Sequence, residues 1–426
     1  MKKITLALLL LMSSFFMNAQ RTCATDEIMS NMMADPFQKE AFLKMQQKFE
    51  IELQKLENNP QLRASAQSPQ AVLRIPVAVH FPSVASTSNA TFKNCLIALA
   101  QIQINILNAD YNSQNADLSN WTNNASFFYP NTQNGSFNVQ FELATQNHPT
   151  GYGLVEGQPA VTFGYNFAST IPSGQPLRDA NFAGYLNFVV KNIGSGLLGY
   201  APLGGSPSLG HAVAINTFCF GSGSQCSSTY RPTAPFNLGR TTTHELGHYF
   251  NLNHTFGSCG TNCATTGDKV CDTPAVLDET YECPEVGSVP GCVSGQNALT
   301  MNYMDYVDDA CMYMFTQGQA TRMLAHYNSI ASQFNMTTLA NNDFIKNNYS
   351  LAPNPNNGTF TITFKDLSND ISVQVYDISG RIVFNKNYSQ NSDLSQEVKI
   401  ENPSSGIYFV NIKSGAALST EKIIIK

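Results

Sequence analysis

Residues 243–256 read THELGHYFNLNHTF and hold His244, His248 and His254, three of the chain's seven histidines. His244 and His248 are four apart, so a helix over this stretch sets them on one face, a turn from each other. That spacing lets two imidazoles reach a single zinc ion. Glu245, between them, is placed to take a proton from water at the ion. Gly247 is an odd choice for a helix interior but leaves room for a neighbouring strand. His254 is six residues past His248, too far along one straight helix, so the chain must turn at about Asn251. A turn there favours positive φ, which Gly adopts freely and Asn tolerates better than most residues.

HExxH followed by a third His six residues on resembles the metzincin metallopeptidases, whose pattern is HExxHxxGxxH. Asn251 stands where that pattern carries Gly, a sterically mild departure. Asn302-Tyr303-Met304-Asp305-Tyr306 resembles the methionine turn of the same enzymes, with Met304 50 residues beyond His254. The words GDKVCDTP (267–274), NYMDY (302–306) and CMYMFTQGQATRM (311–323) resemble the pappalysins, and among them the bacterial cytophagalysin-like enzymes. The resemblance covers roughly residues 72–330. HExxH alone arises by accident in many chains; the third histidine and the flanking words carry the reading, and an intact Glu245 argues against a pseudo-enzyme.

Charged residues make up only 13% of the 426, and the formal net charge is −6. No basic cluster suggests nucleic acid as a partner. Residues 1–19 read as a signal peptide: Lys2 and Lys3, an apolar run from Ile4 to Met12, then the small Ala19. That run is too short to span a bilayer as a mature helix, and no later stretch is long enough, so no transmembrane segment is expected. Gln20-Arg21-Thr22 before Cys23 is unlike a lipoprotein signal. The chain is therefore expected to be exported and its ten cysteines to be disulfide formers.

Residues 20–68 read as a propeptide. The stretch from Phe37 to Leu56 has apolar residues at helical spacing, and Asn58-Asn59-Pro60 ends it. The catalytic domain is placed at 69–335. Its first strand is Val72–Phe81, followed by an amphipathic helix from Phe92 to Tyr111 with Leu96, Leu99, Ile102, Ile106 and Leu107 along one side. Strands follow at 137–143 and 186–191, then a glycine-rich loop from Gly194 to Gly205. His211–Phe218 is expected to be the edge strand that lines the cleft and takes substrate as an added strand. His80, His148 and His211 read as structural and His326, on a helix from Gln317 to Ile330, as a surface residue. The expected fold is an α/β (α+β) metzincin-like domain whose lower subdomain, after His254, is irregular and cysteine-rich.

Residues 336–348 form an Asn- and Thr-rich linker. From 349 to 426 short alternating strands predict an all-β sandwich: 360–364, 371–376, 381–385, 397–400, 407–412 and 422–425. The words APNPNNGTF, VQVYDISGRIV, SSGIYFVNI and KIIIK resemble the C-terminal sorting domain of type IX secretion substrates. Without that resemblance a carbohydrate-binding or adhesive module fits the strands equally well.

The resemblances together imply a secreted zinc endopeptidase made as a latent precursor, with protein or peptide substrates and the type IX secretion machinery as partners. His244, His248 and His254 would hold zinc, Glu245 would act as general base, and Tyr306 would hydrogen-bond the tetrahedral intermediate. Met304 would shape the floor below the metal. Arg21-Thr22-Cys23-Ala24-Thr25 resembles the cysteine-bearing pro-segment motif of cytophagalysin-like precursors, and a Cys23 thiolate is suited to the open zinc position. Calcium is expected near Asp268 and Thr273, where oxygen ligands cluster, with Asp278 or Glu279 as the further carboxylate. The resemblance also implies Cys259–Cys292 and Cys283–Cys311 disulfides, leaving Cys263–Cys271 and Cys219–Cys226 as local pairs and Cys23 and Cys95 free. Asp308 and Asp309 are expected to wall the pocket beyond the scissile bond and favour a basic residue there. The rival from another class is a surface adhesin with a structural zinc site.

Overall fold

Every residue of strand β1 from Ile75 to Phe81 is buried, so the strand lies inside the sheet rather than on a half-exposed face. Such burial follows when parallel strands flank both edges and helices cover the faces. The structure is a computed structural model describing residues 22–66, 72–125, 128, 132–167, 179–194, 196–223, 225–335, 349–364, 371–377, 381–389, 393–414 and 417–426. The expected signal peptide and the expected linker at 336–348 lie outside these residues. Two compact units divide the chain near residue 336, with Thr145–Asn147 grouped with the second.

In the first unit β1 (Leu73–Phe81) pairs in parallel with β2 (Val139–Leu143) and β3 (Val161–Phe163) along one edge and with β4 (Leu186–Val190) along the other. The sheet order is β2-β1-β4-β6-β5. The stretch expected as the edge strand, around 211–218, gives β6 (Ala212–Ile215), which is interior: it pairs with β4 on one side and with β5 (Gly199–Tyr200) on the other. The edge is β5, two residues inside the glycine-rich loop and antiparallel to β6. Two residues carry no period, so hydrophobic patterning has nothing to read there.

The N-terminal stretch expected to be a propeptide folds as α1 (Thr25–Ala34), α2 (Pro36–Glu57) and α3 (Pro60–Ala66). Asp35 starts α2 by accepting the backbone N–H groups of Phe37 and Gln38, with Pro36 at the first helical position. Phe49, Leu53 and Leu56 of α2 are buried in the main core, and α2 packs along α7 (Gln317–Ile330). Ile28 and Met32 of α1 belong instead to a smaller core with Phe182 and Tyr200.

Helix α4 (Ala90–Tyr111) is capped by Asn89, whose side chain accepts from the Phe92 N–H. Leu96, Leu99 and Leu107 are buried as expected, but Ile102 and Ile106 are only half-buried. Gln103 and Asp110 take the interior places because both bond to the helix that carries the histidines. Gln103 reaches Gly239 O and Thr242 Oγ1, and Asp110 accepts from Thr243 Oγ1 at 2.6 Å. Hydrogen-bonded partners make the burial of such polar groups tolerable.

Beyond that helix, the described chain up to Thr316 has only turns and one 3₁₀ turn, Asp309–Cys311. Cys259–Cys292, Cys263–Cys271 and Cys283–Cys311 tie this irregular part together, as expected. The fourth disulfide corrects the expectation: Cys226 joins Cys95, not Cys219, because the first turns of α4 lie beside the 226 loop, and Cys219 is buried in the core. His326 is likewise not on the surface but fully buried, its Nε2 3.0 Å from Gly205 O, and burial holds it down to about 4.

The second unit is the expected β-sandwich. One sheet has the order β10 (Ile382–Tyr388), β9 (Ile371–Asp377), β12 (Gly406–Ser414), β13 (Ala417–Ile425). The other is β11 (Ser395–Lys399), β8 (Thr359–Phe364), β7 (Tyr349–Ala352). Alternate residues such as Phe360, Ile362, Phe364 and Ile371, Val373, Val375 form its core. Strand β7 is not among the strands expected from alternation.

Candidate active site

The central helix, α6, runs from Arg240 to Tyr249 with every residue buried. It ends because Gly204 and Gly205 donate their N–H groups to His248 O and Tyr249 O and because Asn251 takes φ 68°. The positive φ expected at Asn251 turns the chain back and brings His254 alongside His248. Gly247 leaves room not for a strand but for Met304: a Cβ at residue 247 would collide with the Met304 sulfur. The methionine turn is itself held by Asn302, which exchanges two amide hydrogen bonds with Gln319 (2.7 and 2.9 Å) and accepts the Met304 N–H.

His244 Nδ1 lies 2.7 Å from Tyr303 O and His248 Nδ1 2.7 Å from Leu252 O. A carbonyl only accepts, so each Nδ1 carries its proton and each Nε2 remains as a ligand atom. His248 Nε2 and His254 Nε2 stand 3.1 Å apart, and the ligand atoms of Cys23, His244, His248 and His254 all fall within 4.8 Å of one another. Among the described residues this is the one such group of three or more His, Cys, Asp and Glu. Burial holds His248 down to about 3 and His254 to about 4, which keeps both rings neutral near pH 7. Three imidazoles and a thiol gathered at one point are the donor set of a tetrahedral zinc ion.

Cys23 arrives by strand addition. It bridges Gly199 in parallel, with Leu198 donating to Thr22 O at 3.1 Å and Ala24 to Gly199 O at 3.3 Å. Thr25 fixes the next step by donating to Ala201 O at 2.9 Å. Residues Thr22–Ala24 therefore occupy the β5 edge. The Cys23 thiol donates to Glu245 Oε2 at 3.1 Å, and burial, then the Glu245 charge, raise its pKa. Gly199 lets the strand lie over Glu245, whose Cγ would be 2.6 Å from any Cβ added there. Tyr306 is packed edge-on to His254 at 5.0 Å and its hydroxyl bonds to the Cys23 backbone. Burial, then Cys23 and Glu245, push that hydroxyl's pKa up, so it remains a donor. His254 stacks on Phe256 at 4.7 Å.

The other expected site residues lie apart from this group. Thr273 Oγ1 donates to Asp268 Oδ2 at 2.7 Å, and the other Asp268 oxygen accepts the Val270 N–H. Burial pushes Asp268 up to about 7. Asp272, in the same stretch, is turned to the start of α7, accepting from Thr316 Oγ1 and the Gly318 N–H. Glu279 accepts from the Tyr281 hydroxyl instead of joining Asp268. Asp309 is fully buried. Its Oδ2 accepts the N–H groups of Leu238 and Arg240, so it caps the start of α6. His80 bridges Thr162 and Asn187, His148 meets Gln158 O, and His211 accepts the Ser206 N–H, all structural duties.

One contact was beyond sequence reading. The Gln46 amide on α2 exchanges two hydrogen bonds with the Asn251 amide, each 3.1 Å. The residue that departs from the metzincin Gly is thus the one that α2 grips. The only signal was that departure, and it names no partner.

Residues 226–328 match the pregnancy-associated plasma protein-A peptidase family, and residues 350–426 match the secretion system C-terminal sorting domain. An extracellular metalloprotease of Verticillium alfalfae is 45% identical over 100 residues, 24% of this chain and 35% of that protein. Extracellular metalloprotease 1 of Coccidioides posadasii is 38% identical over 149 residues, 34% of this chain and 50% of that protein. The matches thus span half or less of these relatives. A promirolysin mutant from Tannerella forsythia is similar in structure, with TM-score 0.53 and 26% identity, over 75% of this chain and 100% of that one. These findings bear out the resemblance, the fold class and the sorting domain, and with the last, secretion of the chain. No helix among the described residues is long and apolar enough to cross a membrane.

Proposed function

From a chain that joins a pappalysin-type peptidase domain to a secretion sorting domain, we propose a secreted zinc endopeptidase, exported by the type IX machinery and held latent by its own pro-segment. The observation that carries this reading is the convergence of three histidines, a buried carboxylate and a pro-segment thiol on one point.

Zinc bound by His244, His248 and His254 would polarise the scissile carbonyl and lower the pKa of attacking water. The rest is done by the chain. The β5 edge, now filled by Thr22–Ala24, would take an extended peptide by main-chain hydrogen bonds. Glu245 Oε2, which accepts the thiol hydrogen of Cys23, would take the proton of the attacking water and pass it to the leaving amine. Tyr306, now bonded to the Cys23 backbone, would turn its hydroxyl to the oxygen that gains charge. In a structural zinc site of the adhesin kind, four permanent ligands would close the metal. The fourth donor in this chain sits on the pro-segment, which favours the enzyme.

Latency in this reading has two anchors, Cys23 at the metal and α2 along α7. Gln46→Ala removes both hydrogen bonds to Asn251 and should loosen the second anchor by about 1 kcal/mol, so that the pro-segment is released roughly fivefold faster. Time courses of precursor conversion measure this; an unchanged rate rejects the clasp. Deleting residues 349–426 should leave peptide hydrolysis intact and retain the enzyme inside the outer membrane. Fractionation of the secreting cells checks it, and normal secretion of the truncated chain refutes it. The family resemblance further implies a structural calcium ion at Asp268 and Thr273, supported by the buried position of both. Calcium should then raise Tm in a form that Asp268→Asn abolishes; an equal Tm with and without calcium removes the ion from the account.

A further inference from the structure

A buried charge cluster lies behind the metal site, and neither the sequence reading nor the proposed mechanism uses it. Arg240, the first residue of α6, is 7% exposed. Its Nη2 contacts both Asp117 oxygens at 3.2 and 3.1 Å, and its Nη1 is 3.2 Å from Asp110 Oδ1. Nη1 also donates to Met312 O at 3.1 Å and to the Tyr303 hydroxyl. The guanidinium lies 5.2 Å from the centre of the Tyr303 ring. Asp110 closes the circle by accepting from Thr243 Oγ1, one residue before His244.

Burying an arginine, an aspartate and a tyrosine hydroxyl together, with the half-buried Asp117 at the edge, costs desolvation that packed apolar residues would avoid. The geometry gives that cost a local return. Tyr303 is fully buried, its hydroxyl accepts from Arg240 Nη1, and its carbonyl oxygen is the acceptor of His244 Nδ1. Fixing the ring therefore fixes the main-chain carbonyl that sets the tautomer and rotation of a metal ligand. The methionine turn begins at the same residue, so α6 and that turn are fastened at the point where His244 needs them in register.

We propose that Arg240, acting through Tyr303, is a positioning residue for His244: with Asp110 and Asp117 it holds the Tyr303 carbonyl where it keeps His244 aimed at the metal. The inference rests on the zinc reading of the site. Partners that orient a ligating histidine change metal affinity by roughly 10- to 100-fold when removed.

The test is a zinc competition titration of the purified full chain against a fluorescent chelator, with the d–d spectrum of the cobalt-loaded protein as a second readout. Tyr303→Phe removes one hydroxyl and keeps the ring. It should weaken zinc binding about tenfold and alter the cobalt bands while folding cooperatively; Arg240→Lys, which loses the forked geometry, should do so more strongly. Tyr230→Phe is the control, an equally deep tyrosine that packs on Phe81 and Phe92, and should bind zinc like the parent. Zinc affinity and cobalt spectra within twofold of the parent in both Tyr303→Phe and Arg240→Lys overturn the proposal. An equal loss in Tyr230→Phe also overturns it, since the effect would then be general loosening. A parent chain that binds no zinc defeats the metal reading itself, a result distinct from either.

Discussion

Glu245→Ala should bind zinc like the parent protein and lose peptide hydrolysis by roughly a thousandfold or more, the scale on which a positioned general base acts. The ligands are untouched by the change: His244 and His248 keep their carbonyl partners, Tyr303 O and Leu252 O. Removed are the carboxylate that accepts the Cys23 thiol at 3.1 Å and, in the open enzyme, the acceptor for the proton of the attacking water. The side chain is buried under Gly199, so no surface carboxylate stands ready to replace it. Metal content by atomic absorption and turnover of a quenched peptide separate the two effects. Turnover within a few-fold of the parent at full zinc occupancy would remove Glu245 from the mechanism.

The Cys23→Ala precursor should hydrolyse peptide without trimming, with activity roughly tenfold or more above the intact precursor, because a thiolate is a strong zinc ligand and alanine offers none. The substitution also deletes the contact with Glu245 and leaves the β5 bridge and the Thr25–Ala201 hydrogen bond to hold that strand. Residual inhibition then measures what α1, α2 and the Gln46–Asn251 clasp contribute without the metal. Activity equal to that of the intact precursor would rule out a thiol switch.

The features that sequence made readable are those in which spacing encodes geometry. His244 and His248 at four residues, and a residue tolerant of positive φ at 251, predict a helix, a turn and a third ring, and the structure has the turn at φ 68°. The sandwich strands follow from period-two alternation, two disulfides from the family resemblance, and Cys263–Cys271 as a local pair left over. Sequence failed where a residue's environment is made by distant chain. Gln103 and Asp110 look like the wet side of an amphipathic helix, yet they are buried because α6 supplies their partners. Asp309 reads as a pocket acid and is a helix cap. Cys95 finds Cys226 across a sequence separation of 131, which no local pattern announces. The two-residue β5 edge, the place where the pro-segment docks, is too short for any period.

The central claim is zinc-dependent endopeptidase activity in the mature protein, and profiling a peptide library with the purified enzyme tests it most directly. Internal cleavage that stops with a zinc chelator, returns on adding zinc and is missing from Glu245→Ala is the predicted result. A zinc-loaded, pro-segment-free protein that leaves every peptide intact would contradict the account and favour the binding-protein reading of the same site.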